Sequence, residues 1–135
     1  MLTNKTTYRV IYGDTDNMGM AYHANYFRWF EIGRGEMLRS LGIPYKTIEE
    51  KGIFIVVSEV RCKYFAPVRY DDIVTIQTSF DPALKGGLKF DFLLFTDRSE
   101  KPCATGWTKH ACVDRNGQLV RPPEFITKLL RHHDS

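Results

Sequence analysis

The chain has 135 residues, 43% of them hydrophobic and 13% aromatic, with 19 basic and 16 acidic side chains and a formal charge of +3. This suits one domain, 1–135, with a full core and excludes disorder as the main state. The dispersed charge announces neither a nucleic-acid nor a membrane surface and permits only a modest preference for anionic ligands.

Three cysteines, Cys62, Cys103 and Cys112, without CxxC spacing suggest neither a disulfide framework nor a zinc site. The N-terminus MLTNKTTYRV lacks the apolar core of a signal peptide, and no stretch has the apolar length of a bilayer span. A soluble, cytoplasmic protein is predicted.

In chain order, the β-branched and aromatic alternation over Thr7–Tyr12 predicts a first strand. The link Tyr12–Tyr26, YGDTDNMGMAYHANY, then gathers Asp14, Asp16, Gly19, the pair Tyr22 and His23, and the capping-type residue Asn25. From Asn25 to Leu41 the apolar residues recur at helical spacing, widened by Phe27, Ile32 and Leu38, so a helix buried on most sides is expected. Gly33 and Gly35 each cost a helix about 1 kcal/mol against alanine and suggest close approach of another backbone. Gly42 and Pro44 are a stop signal, and Tyr45–Gly52 reads as a short helix or turn.

The remainder reads as strands over Phe54–Phe65, Ile73–Phe80, Leu88–Thr96 and Cys103–Asp114, then a terminal helix Glu124–Leu130 after Pro122 and Pro123. In the first of these strands Val56, Ser58, Val60, Cys62 and Tyr64 are expected on a core face, and Glu59, Arg61 and Lys63 on a polar or interfacial one. A strand, a long helix and four long strands with short links give an α+β fold, an antiparallel sheet with the helix on one face.

The chemistry centres on the link. The first N–H groups of a helix lack intrahelical partners and carry partial positive charge, so they can hold an anion or a polarised carbonyl oxygen. A turn that returns Asp16 over that end would join a carboxylate to those donors, a minimal layout for attack on an acyl group. The same residue types also serve as helix cap, turn glycine and structural histidine, and spacing alone leaves both readings open.

At YGDTDNMGMAYHANYFRWFE, supported by Phe65-Ala66-Pro67 with Tyr70-Asp71-Asp72 and by GWTKHACVD, nearly the whole chain resembles the hotdog-fold acyl-CoA thioesterases, in the 4-hydroxybenzoyl-CoA thioesterase branch. The resemblance implies a long helix wrapped by a curved antiparallel sheet, and a homodimer or homotetramer with active sites at the subunit interface. It implies no metal or cofactor, an acyl-CoA substrate, Asp16 as the catalytic carboxylate, and the His23 backbone N–H as polariser of the thioester carbonyl, with Tyr22 beside it. Tyr22-His23-Ala24 stands where the aromatic-substrate enzymes carry an aromatic-Tyr-Pro run, and looks more like the broader acyl-CoA group. It also puts nucleotide contacts at Lys85-Gly86-Gly87, while Arg61 and Lys63 are second candidates for the CoA phosphates.

An ionised Asp16 can act as nucleophile or as general base on water. Asp14 is expected as a turn or structural acid, and Glu31 as the ion-pair partner of Arg28 or Arg34. Three rival readings are a hotdog dehydratase, a metal hydrolase using Asp14, Asp16 and His23, and a non-catalytic acyl-CoA or acyl-carrier-protein binding protein. The Asp-x-Asp turn argues against the first, the lack of a second ligand cluster against the second, and the intact Asp16 against the third.

Overall fold

The computed structural model describes residues 2–132. In chain order it contains strand β1 (Thr3–Arg9), helices α1 (Asn25–Ser40) and α2 (Tyr45–Glu50), strands β2 (Phe54–Tyr64), β3 (Ile73–Asp81), β4 (Leu88–Thr96), β5 (Ala104–Val113) and β6 (Leu119–Val120), and helix α3 (Glu124–His132). The five long strands form one antiparallel sheet in the order β1-β3-β4-β5-β2, with β6 paired to β5. One long helix lies against β1, β3 and β4, the hotdog arrangement that the resemblance implies.

The strict alternation of buried and half-buried residues along β3 and β4 gives the sheet its core face. Ile76, Phe80, Phe90, Phe92 and Leu94 meet Trp29, Phe30 and Met37 of α1 there, with the Phe30 and Phe92 rings stacked 4.3 Å apart. Each such side chain contributes roughly 1.5–3 kcal/mol by leaving water. At the far end of α1 the N–H of Ile43 returns to the Leu38 carbonyl at 3.0 Å while Gly42 takes a φ of +79°. That left-handed residue stops the helix.

Four expectations need correction. The first strand runs earlier than Thr7–Tyr12: the polar run Thr3–Arg9 forms it by pairing with β3, and Tyr12–Asp14 is a 3-10 turn pulled round by the Ile11 N–H donating to Asp14 Oδ2 at 3.0 Å. A bulge between Val57 and Glu59 inserts Ser58 as an unpaired residue, so Ile55 and Val57, rather than Val56, share a face with Val60, Cys62 and Tyr64. That face is core only in part: Ile55 and Cys62 pack against the core, while Val57 and Val60 of this edge strand are exposed.

The helix glycines also differ from one another. Gly33 faces the side chains of Thr78 and Ile76 rather than a backbone, and at Gly35 an added methyl would meet nothing closer than the Tyr45 ring at 4.0 Å. Finally, α1 buries one broad stripe and leaves Arg28, Glu31 and Arg39 exposed, so it is not covered on most sides.

Candidate active site

The link between β1 and α1 is built on Asp14. Its side chain is 1% exposed, and Oδ2 accepts the Tyr8 hydroxyl at 2.7 Å as well as the Ile11 N–H. Arg28 Nη1 lies 3.6 Å from Oδ1. The Asp14 carbonyl takes the N–H of Tyr22 at 2.8 Å and the side-chain amide of Asn25 at 2.7 Å. Asn25 is therefore no helix cap: it sits at the first helical position and ties the helix to the link. Asp14 is the structural acid, committed to Tyr8 and Ile11, which removes it from the metal set proposed on residue types.

Asp16 stands in the next turn. Its backbone N–H donates to the Met20 carbonyl at 2.8 Å and its carbonyl accepts from Gly19 at 3.0 Å, with Gly19 at a φ of +77°. A glycine adopts that conformation at no steric cost. Oδ1 of Asp16 accepts the N–H of Met18 at 2.8 Å and of Met20 at 3.4 Å, while the side chain stays exposed.

A second loop holds this turn from outside. Ala21 N–H donates to the Val68 carbonyl at 2.7 Å, and Met20 bridges to Arg69. The Val68 loop is clamped in turn by the buried Asp72, which takes Arg98 at two points, Nε at 3.1 Å and Nη2 at 2.8 Å, and the Arg69 N–H at 2.8 Å. Arg98 also reaches the Pro67 carbonyl at 3.0 Å.

Asp16, Tyr22, His23, Tyr26, Tyr64 and Pro67 line one open cleft of about 460 Å³. The helix begins at its wall: the N–H groups of Asn25, Tyr26 and Phe27 turn back to the carbonyls of Tyr22, His23 and Ala24. Among the described residues no acceptor takes the N–H of His23 or Ala24. The free His23 N–H and the Asp16 carboxylate thus belong to residues that line one small space. Tyr26 and Tyr64 meet edge to face at 4.7 Å. Burial raises both phenols, Tyr64 to about 12, so both stay protonated at neutral pH.

Sequence reasoning found Asp16, Tyr22 and His23 because they lie in one stretch; it missed Tyr64 and Tyr26 as cleft walls. The other candidates are not brought to this cleft. Arg61 and Lys63 line a groove on the opposite face of the sheet with Trp107 and Thr105. Lys85, Gly86 and Gly87 lie before β4, at the end of the sheet away from Asp16, and β4 itself runs about 26 Å at roughly 3.3 Å per residue. There they join Arg121, Thr127 and Arg131 around a cleft of about 580 Å³. Glu31 makes no ion pair among the described residues: Arg28 turns to Asp14 and Asn25, and Arg34 to Tyr45 and Thr108.

Among the described residues no three His, Cys, Asp or Glu side chains group as a metal-ligand set, and no helix is long and apolar enough to cross a membrane.

A single long helix against one curved antiparallel sheet defines the hotdog class. The chain belongs to the thioesterase-like superfamily, whose family model matches residues 10–130. It is 33% identical over 128 residues to the acyl-CoA thioesterase YbgC of Haemophilus influenzae, covering 93% of this chain and 91% of that protein. The crystal structure of a hypothetical protein from Aquifex aeolicus superposes with a TM-score of 0.87 at 32% identity, over 94% of this chain and 98% of that one. A DHNA-CoA thioesterase from Staphylococcus aureus shares the fold with a TM-score of 0.89 at 24% identity, over 99% and 90%.

Proposed function

We propose that the protein hydrolyses an acyl-CoA thioester to the free acid and CoA, with Asp16 as the reacting carboxylate. The observation that carries this reading is the cleft shared by Asp16 and His23, whose backbone N–H has no acceptor among the described residues. The name of the Haemophilus relative supports the substrate class.

In the general-base route Asp16 takes a proton from water, and the oxygen attacks the thioester carbonyl carbon. The oxyanion that forms is held by the free His23 N–H at the helix start. Collapse breaks the C–S bond, the thiolate leaves, and the proton held by Asp16 is returned to it. In the nucleophilic route Asp16 attacks the carbonyl itself, the C–S bond breaks and the CoA thiolate leaves, and water then opens the mixed anhydride to the free acid and the regenerated carboxylate, its other proton passing to the thiolate.

The cations Lys85, Arg121 and Arg131 are our candidates for the CoA phosphates. Their distance from Asp16 of the same chain favours an assembly in which one copy's basic cleft serves another copy's carboxylate. The exposed edge strand β2 is the candidate contact between copies, in a dimer or a tetramer.

The test is release of thiol over a panel of short, long and aromatic acyl-CoAs by wild type and Asp16→Asn. The expected outcome is turnover of at least one member and a fall of about two orders of magnitude or more in kcat for the variant, with folding preserved. Binding without thiol release, or a fully active Asp16→Asn, overturns the reading.

A further inference from the structure

Tyr64 closes β2 and leans over the start of α1. Its hydroxyl donates to the His23 carbonyl at 3.1 Å, 41 residues back along the chain. The same carbonyl accepts the Tyr26 N–H at 3.3 Å from within the helix. It therefore has two donors, and the second is a side chain that makes no other hydrogen bond with the helix.

The His23 carbonyl belongs to the peptide unit whose nitrogen is Ala24 N. A hydrogen bond received at the oxygen of an amide draws electron density from its nitrogen and makes its N–H a stronger donor. It also fixes the plane of the unit. Tyr64 is itself held: its strand position is registered opposite Ala104, and its ring is packed edge-on against Tyr26 at 4.7 Å and towards His23 at 6.5 Å.

From this contact we infer that Tyr64 is a positioning residue for the oxyanion: its hydroxyl holds and polarises the His23–Ala24 peptide, so that the Ala24 N–H joins the His23 N–H in binding the developing charge. The inference rests on the thioesterase reading above. It adds a second backbone donor and the side chain that aims it. With its phenol raised to about 12 by burial, Tyr64 remains a donor across the working pH range and adds no ionisation of its own to the rate profile.

Tyr64→Phe removes one oxygen and keeps the ring contacts. The variant should lose about five- to tenfold in kcat, with KM within about twofold, because the lost interaction acts on the transition state rather than on ground-state binding. The pH profile should keep its shape. In the apoprotein, the amide proton of Ala24 should move upfield, a readout that needs no substrate. Wild-type kcat in the variant, or an unmoved Ala24 amide, overturns the role of Tyr64 while leaving that of Asp16 intact. A fall in kcat matched by loss of thermal stability, with the Ala24 amide unmoved, assigns Tyr64 to the fold instead. Should the wild type release no thiol from any acyl-CoA, the functional reading fails first, and the catalytic role of Tyr64 falls with it.

Discussion

Gly33 on α1 and Thr78 on β3 are in contact so close that a methyl added to Gly33 would collide with the Thr78 hydroxyl oxygen and stand 2.7 Å from Ile76 Cγ2. Helix and sheet pack tightly at this point. Gly35, two residues on, has open space around it. Gly33→Ala should therefore destabilise the protein by about 1–3 kcal/mol through overpacking. Gly35→Ala should stabilise it by roughly 0.5–1 kcal/mol through helix propensity alone. Denaturant unfolding of the two variants checks the pair, and the opposite ranking would contradict the packing described.

His110 gives a pH dependence of defined sign. Burial first, and the Arg34 cation second, lower its pKa from 6.5 to about 3. Its Nε2 lies 2.8 Å from Thr108 Oγ1. The folded ring stays neutral where the unfolded ring takes a proton, so its contribution is whole above pH 6.5 and is lost as pH falls towards the folded value. The slope approaches about 1.4 kcal/mol per pH unit. Urea unfolding at pH 7, 5.5 and 4.5 should follow this fall, and His110→Gln should flatten it. An equally steep fall in the variant assigns the acid sensitivity to other groups.

The basic cleft predicts a split between kcat and KM. Lys85 is exposed and has Arg121 and Arg131 as cleft neighbours. Lys85→Ala should raise KM for acyl-CoA several-fold with kcat nearly unchanged, a loss of about 1 kcal/mol that shrinks with added salt. Lys85→Ala combined with Arg121→Ala should do more. Acyl-pantetheine, lacking the nucleotide, should not distinguish either variant from wild type. Equal harm to both substrates would instead make Lys85 a support for its loop.

The edge strand predicts an oligomer. Val57 at 52% and Val60 at 41% exposure stand on the face of β2 that turns towards α1, on a strand with no neighbour on its outer side. An unpaired edge with apolar residues invites pairing. Sedimentation at micromolar concentration should give a dimer or a larger species, and Val60→Asp should shift it towards monomer and lower activity together. A wild type that is monomeric and fully active would end this proposal.

Much of the fold is legible in the sequence because local pattern and tertiary environment agree. Leu88–Thr96 alternates between a core and an outer face for its whole length, and the observed strand has those bounds. The start of α1 at Asn25 and its stop at Gly42 are equally local. β1 is hidden because TNKTTYR is polar on both sides: an edge strand owes its structure to its neighbour β3, not to its own hydrophobicity. The flip within β2 depends on one extra residue, Ser58, which changes no local propensity yet reverses the facing of every residue before it.

The candidate site divides the same way. Asp16, Tyr22 and His23 are read directly, because they lie within one short stretch. Tyr64 reaches His23 only through folding, and Arg121 and Arg131 meet Lys85 only when β6 and α3 return to the turn before β4.

The turn around Asp16 has a further consequence. Its two N–H donors, Met18 and Met20, both address Oδ1. The two oxygens of one carboxylate are therefore no longer equivalent: Oδ1 is solvated by the backbone of its own loop before any substrate arrives, and Oδ2 keeps its lone pairs. On the proposed reading, Oδ2 is then the oxygen left to accept the bond or proton. If Asp16 reacts as proposed, the backbone of loop 16–20 selects which of its two oxygens does so.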